Sequence, residues 1–237
     1  DSSEILSIGL RHAPLYDSAM FIASLVIIPS LAQFVIRLET GFFDRYQHYY
    51  GTIKAHGTIA QIEASRVRLK GETLDHLVLI TIAHVGICAV LVLSAPAIID
   101  LLNLQYRQIA ILRYGALGSV FQFIFIASTS MLLFFDRRRL FVALQVAFLL
   151  LNLGLSMASV AGGEEYYGVG YFMACLIVSL AAYIAAERTF TDLNYLTFIG
   201  NNPSIEASST ERTRARRHVP RWARAAVGLL TPRSSRS

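Results

Sequence analysis

Charge is what this 237-residue chain has least of, and what little it has avoids the apolar stretches. Asp, Glu, Lys and Arg make up 16% of it, against roughly 25% in an ordinary soluble domain, while hydrophobic residues reach 54%. With a mean hydropathy of +0.51 the apolar excess is too large for the single core a chain of this size can build, which argues against a soluble enzyme. Cysteine is nearly absent too. Cys88 and Cys175 each lie alone in an apolar run, so they build neither a disulfide framework nor a zinc site and read as small hydrophobes. The sequence also has no paired acids within its apolar runs, no nucleophile elbow, no phosphate-binding loop and no HExxH, so it offers no catalytic residue, metal site or cofactor site.

What is present is aromatic and apolar. The 14 Phe and 11 Tyr exclude intrinsic disorder for all but the C-terminal tail. Five runs are long enough to cross about 30 Å of hydrocarbon: Met20–Ile36, Leu77–Ile99, Tyr114–Phe135, Leu140–Ala161 and Val169–Ala186. None contains Asp, Glu, Lys or Arg, each of which would cost on the order of 3 kcal/mol at mid-bilayer. The predicted class is all-α, a polytopic transmembrane helical bundle. The first run is short, but Leu15, Tyr16 and Leu38 can extend it, and Pro29 is expected to kink it.

The net charge of +5 is explained by topology. If the spans alternate, one side receives 18 of the 21 basic residues, from 37–76, Arg137–Arg139 and the C-terminal tail, and the other receives Arg11, Arg107 and Arg113. The positive-inside rule then puts the N-terminus outside and the C-terminus in the cytoplasm, with no need for a nucleic-acid partner. The chain starts at Asp1 without a signal-peptide pattern, and its odd number of spans leads us to expect the C-terminal part of a larger membrane protein.

Between the first two runs, Phe42, Tyr46, Tyr49, Tyr50 and Ile53 recur at helical spacing. Such a stripe suits a helix at the headgroup level, contacting lipid or a partner, and equally a helix packed on the bundle. The remainder, through Glu63, Arg66, Arg68, Lys70 and Glu72, is charged on most faces and reads as a solvated connection. The tail divides at Pro203, giving a membrane region of 1–203 and a basic tail of 204–237. Phe190 to Ile199 is apolar enough to fold back on the bundle; Ser204–Arg217 is expected to be disordered. Trp222, Ala226, Val227 and Leu230 can form one face of a weak helix attracted to anionic lipid.

With no charge in the spans, function rests on uncharged polar groups. In the fourth run Gln145, Asn152, Ser156 and Ser159 share one side of a helix, as either interhelical hydrogen-bonding groups or the lining of a wet route. The third run carries Gly115, Ser119, Gln122 and Thr129, of which Gly115 and Ser119 permit close helix approach. His84 is the titratable side chain in the interior of the runs; it is either a proton-coupling group or a neutral hydrogen-bonded one. Glu164 and Glu165, in the turn before the fifth run, read as loop residues that could also meet a cationic substrate.

Two stretches are more specific. The run from Arg37 through Leu38, Glu39, Thr40, Gly41, Phe42, Phe43, Asp44 and Arg45 to Tyr46, Tyr50 and Gly51 resembles the Pel exopolysaccharide transporter family, PelG, and so does Thr191–Pro203. That family belongs to the multidrug, oligosaccharidyl-lipid and polysaccharide exporter superfamily. The resemblance implies most of the second half of a twelve-helix transporter, lodged in the bacterial inner membrane and exporting a partly cationic polysaccharide. It implies as partners a cytosolic glycosyltransferase and membrane subunits of a synthase, besides membrane lipid. The alternatives are a flippase for lipid-linked oligosaccharide, a cation-coupled drug antiporter, or a non-transporting scaffold for a synthase. The candidate route residues are Gln122, Gln145, Asn152, Ser156 and His84; the candidate interface residues are Phe42, Tyr46 and Tyr49.

Overall fold

The computed structural model describes residues 4–5, 11–12 and 14–200. A two-residue antiparallel pairing of β1 (Glu4–Ile5) with β2 (Arg11–His12) precedes a helical chain. The helices are α1 (Pro14–Leu25), α2 (Ile27–Arg37), α3 (Phe43–Lys54), α4 (Ile59–Leu101), α5 (Gln108–Phe134), α6 (Arg138–Gly162), α7 (Val169–Thr191) and α8 (Leu193–Gly200). Among the described residues five helices are long and apolar enough to cross a membrane, and each contains one of the five apolar runs, the third of which ends at the residue capping α5. Residues 1–191 form one body; α8 belongs to a second and is a helix in its own right, with Thr197 Oγ1 donating to the Leu193 carbonyl at 2.8 Å. The expectations placed on 204–237 lie outside the described residues.

The first span is two helices in line. Helix α1 ends at Leu25, the residue whose carbonyl Pro29 cannot bond and crowds with its ring. Past α2 the chain widens into a π-turn, Leu38–Phe42, and runs on into α3. Pro96 leaves a similar gap inside α4, and there the freed Val92 carbonyl accepts from Arg113 Nε of α5 at 3.4 Å.

One sequence expectation is corrected here. The charged stretch from Glu63 to Glu72 is the first half of α4, whose 43 residues at 1.5 Å each make a rod of about 65 Å, twice the hydrocarbon thickness. A capping box starts it: Gln61 N–H donates to Thr58 Oγ1 at 3.3 Å, and Thr58 N–H donates to Gln61 Oε1 at 2.9 Å. Its inner face is apolar, with Ile62 and Leu69 buried, and four of its charges, Glu63, Arg66, Lys70 and Glu72, are paired rather than merely solvated. Arg45 meets Glu72 at 2.8 Å, Lys70 meets Glu187, and Arg66 binds both Glu63 and the last carbonyls of α7, donating to Phe190 at 2.9 Å and Thr191 at 3.3 Å. A guanidinium there satisfies orphan carbonyls and the negative end of the helix dipole together.

Three helices end in the same way. His56, Asn103 and Asp136 take positive φ of 55°, 52° and 56°, just past α3, α4 and α5. In each, the next residue's N–H reaches back five residues: Gly57 to Thr52 at 3.0 Å, Leu104 to Ile99 at 2.9 Å and Arg137 to Leu132 at 2.9 Å. These are Schellman turns without glycine at the left-handed position. The α6–α7 turn uses glycine instead, at Gly163 (φ 110°) and Gly168 (φ 89°).

Helix α5 is the central post, in contact with α1, α2, α4, α6 and α7. Gly115 lets α1 approach so closely that a Cβ there would lie 2.6 Å from Ala23 Cβ, as its small-residue spacing suggests. Gly170 does the same between α7 and α6, against the Leu155 carbonyl.

Candidate functional site

The polar groups of the spans sit in three places. His84 is fully buried where α2, α4 and α5 meet. Its Nδ1 lies 2.9 Å from Ser30 Oγ and its Nε2 lies 3.4 Å from Ser119 Oγ. Because Ser119 Oγ donates to the Ala116 carbonyl at 2.7 Å, it must accept from Nε2–H. Nδ1 shares the second hydrogen bond with the Ser30 hydroxyl. Cys88 Sγ, 3.3 Å from the same Ser119 oxygen, completes the cluster, and the Phe123 ring covers the imidazole with centroids 5.6 Å apart. This network holds the imidazole as a bolt through three helices. His84 is thus hydrogen-bonded to both neighbouring helices.

Gln122 is half-buried on α5 and accepts from the Tyr171 hydroxyl of α7. Gly118 makes room for this, since a Cβ there would lie 2.5 Å from Tyr171 Cε1. The seam Gly115, Ser119, Gln122, Thr129 therefore serves two neighbours: its first two residues face α1 and α4, and Gln122 faces α7. Thr129 donates to its own helix, to Phe125 O at 2.8 Å.

The third place is α6, the least buried of the five spans. Leu144, Phe148 and Leu151 pack it against α7 and α5 in an apolar cluster with Phe125, Val178 and Ala182. Val146, Leu149, Leu153, Met157 and Val160 are exposed on the other side. Gln145, Asn152, Ser156 and Ser159, all half-buried, form the shoulder between the two faces. Their hydrogen bonds stay within α6: Ser156 Oγ donates to Asn152 Oδ1 at 3.3 Å and Ser159 Oγ to the Ser156 carbonyl at 2.9 Å. Gln145 makes none among the described residues. The amides of α6 thus do not bond to another helix in this body.

The candidate interface residues turn inward. Phe42 and Tyr49 are buried and Tyr46 is half-buried. Phe42 packs edge-on against Phe134 at 5.0 Å and Phe135 at 6.2 Å, and Phe135 meets Phe190 at 5.0 Å, so one aromatic cluster ties the π-turn to the ends of α5 and α7. Tyr46 adds a hydroxyl bond to the Phe134 carbonyl at 3.4 Å. The stripe thus packs on the bundle through Phe42 and Tyr46.

A groove of about 470 Å³ runs between α4, α5 and α7, lined by residues such as Leu77, Thr81, Phe121, Ser128, Ser179 and Tyr183. None of the five candidate route residues lines it. Sequence reasoning missed Ser30 and Tyr171, the partners of His84 and Gln122. Neither belongs to a pattern; each is identified by a neighbour distant in the chain.

Several apolar spans without Asp, Glu, Lys or Arg in their runs, crossed by small-residue contacts and polar clusters, define a polytopic helical protein embedded in a membrane. The chain belongs to the family PelG, described as "Putative exopolysaccharide Exporter (EPS-E)", whose model matches residues 1–198. The family-level resemblance carried by Arg37–Tyr46 is thereby established, and the role it brings is transport. Neither the curated proteins nor the solved structures compared with the chain give a match.

Proposed function

We propose that this chain exports a Pel-type, partly cationic polysaccharide across the bacterial inner membrane by alternating access between helical halves, with its C-terminus in the cytoplasm. Its partners in this reading are a cytosolic glycosyltransferase and the membrane subunits of a synthase. The family match supports export, and the polar shoulder of α6 is the observation that carries the route: half-buried amides that do not bond to neighbouring helices can bond to sugar hydroxyls as they pass. Uncharged donors and acceptors suit a polymer recognised by hydrogen bonding, and a cation-coupled antiporter would call for membrane carboxylates that the five runs lack.

The experiment is removal of the chain from a producing cell. Loss of secreted polymer with the glycosyltransferase still assembled and active supports the exporter; loss of synthase assembly together with secretion supports a scaffold instead. Restoration by the wild-type gene completes the test.

A further inference from the structure

The antiparallel hairpin of α3 and α4 is built in layers, and one layer lacks a counter-charge. Nearest the spans, Arg45 is neutralised by Glu72 at 2.8 Å. Two helical turns toward the tip, Thr52 Oγ1 meets Ser65 Oγ at 3.4 Å. Beyond that, Gln61 completes the capping box with Thr58. Between the ion pair and the hydroxyls stand His48 and Arg68, on facing helices, and neither makes an ion pair or a side-chain hydrogen bond among the described residues. They border a cavity of about 450 Å³ whose other walls are Thr52, Ser65, Gln61 and the small residues Ala55, Gly57 and Ala64. No acid lines it, and the nearby Glu63 is held by Arg66. The cavity lies outside the apolar run Leu77–Ile99, where water and ions reach it.

We propose that this cavity binds a phosphate group. Arg68 supplies the planar fork that matches two phosphate oxygens, His48 faces it from the opposite wall, the Ser65 hydroxyl adds a donor by turning from its long 3.4 Å contact with Thr52 Oγ1, and the alanines and glycine leave the volume a phosphate needs. The phosphate comes either from a soluble diphosphate or from an anionic lipid headgroup. Binding here is independent of what crosses the bundle.

The test uses the full chain in nanodiscs, with pyrophosphate as one probe and phosphatidylglycerol, compared with phosphatidylcholine, as the other. Wild-type protein in phosphatidylcholine discs binds pyrophosphate if the source is soluble; selective retention of phosphatidylglycerol identifies the headgroup. In either case Arg68→Gln lowers binding roughly tenfold or more, the loss expected for a charge-assisted hydrogen bond, and Arg68→Lys loses less. Ala64→Phe, which fills the cavity without changing charge, also abolishes binding. Arg139→Gln, an equal loss of charge elsewhere, leaves it intact. Helicity and thermal unfolding confirm that the variants fold, and both Arg68 and Ala64 are exposed. Binding of neither probe by wild type, or wild-type binding in both Arg68→Gln and Ala64→Phe, overturns the proposal.

Discussion

Gly118 has no side chain because Tyr171 occupies the space one would need. An added Cβ lies 2.5 Å from the Tyr171 ring, so Gly118→Ala must displace the ring that donates to Gln122. We expect a loss of about 1–3 kcal/mol, the usual cost of overpacking, read as a lowered unfolding temperature in detergent. Gly71→Ala is the matched control, because open space surrounds that position and helix propensity favours alanine by up to about 1 kcal/mol. The His84 bolt makes a second prediction at this scale. His84→Leu removes hydrogen bonds to Ser30 and Ser119, worth roughly 0.6 kcal/mol each in a membrane, and should lower thermal stability. His84→Gln, which can still donate and accept, should retain more of it; equal loss in both variants would mean that packing rather than hydrogen bonding holds the three helices.

Between elements, the clash that matters is with backbone. A Cβ on Gly170 would lie 2.4 Å from the Leu155 carbonyl, which cannot swing aside as a ring can, so α6 and α7 must separate. Gly170→Ala should therefore destabilise the protein more than Gly118→Ala in the same unfolding measurement. The order reverses if α6 is free to shift. At this scale much was legible in the sequence: the five spans follow from apolar runs, and the break before Pro29 follows from a missing donor. The charged half of α4 is hard to read in the sequence although Thr58 and Gln61 carry a capping signature, because the charges between Glu63 and Glu72 mask the apolar face formed by Ile62 and Leu69. The π-turn at Leu38–Phe42 has no local signal, since a wider turn is fixed by the packing of Phe42 on Phe134 and Phe135. For the candidate site, periodicity placed Gln145, Asn152 and Ser156 on one side of α6, but it could not say whether another helix would bond to them. That depends on how α6 leans on α7, which Gly170 and Leu155 determine.

For the molecule as a whole, the proposed orientation puts Arg137–Arg139 in the cytoplasm. Arg138 is exposed, so Arg138→Cys in a chain with Cys88 and Cys175 replaced by Ala should react with a membrane-impermeant thiol reagent only after the inner membrane is opened. Labelling in intact cells would reverse the topology. The central claim is that the shoulder of α6 meets the exported polymer, and secreted polymer per unit of folded protein tests it most directly. If sugar hydroxyls use these amides, Gln145→Leu and Asn152→Leu should lower that ratio roughly fivefold or more while folding and synthase assembly are kept, since a hydrogen bond of about 1 kcal/mol is lost from each passing unit. If the amides serve only structure, secretion should fall in proportion to folded protein, and an unchanged ratio in both variants would contradict the account.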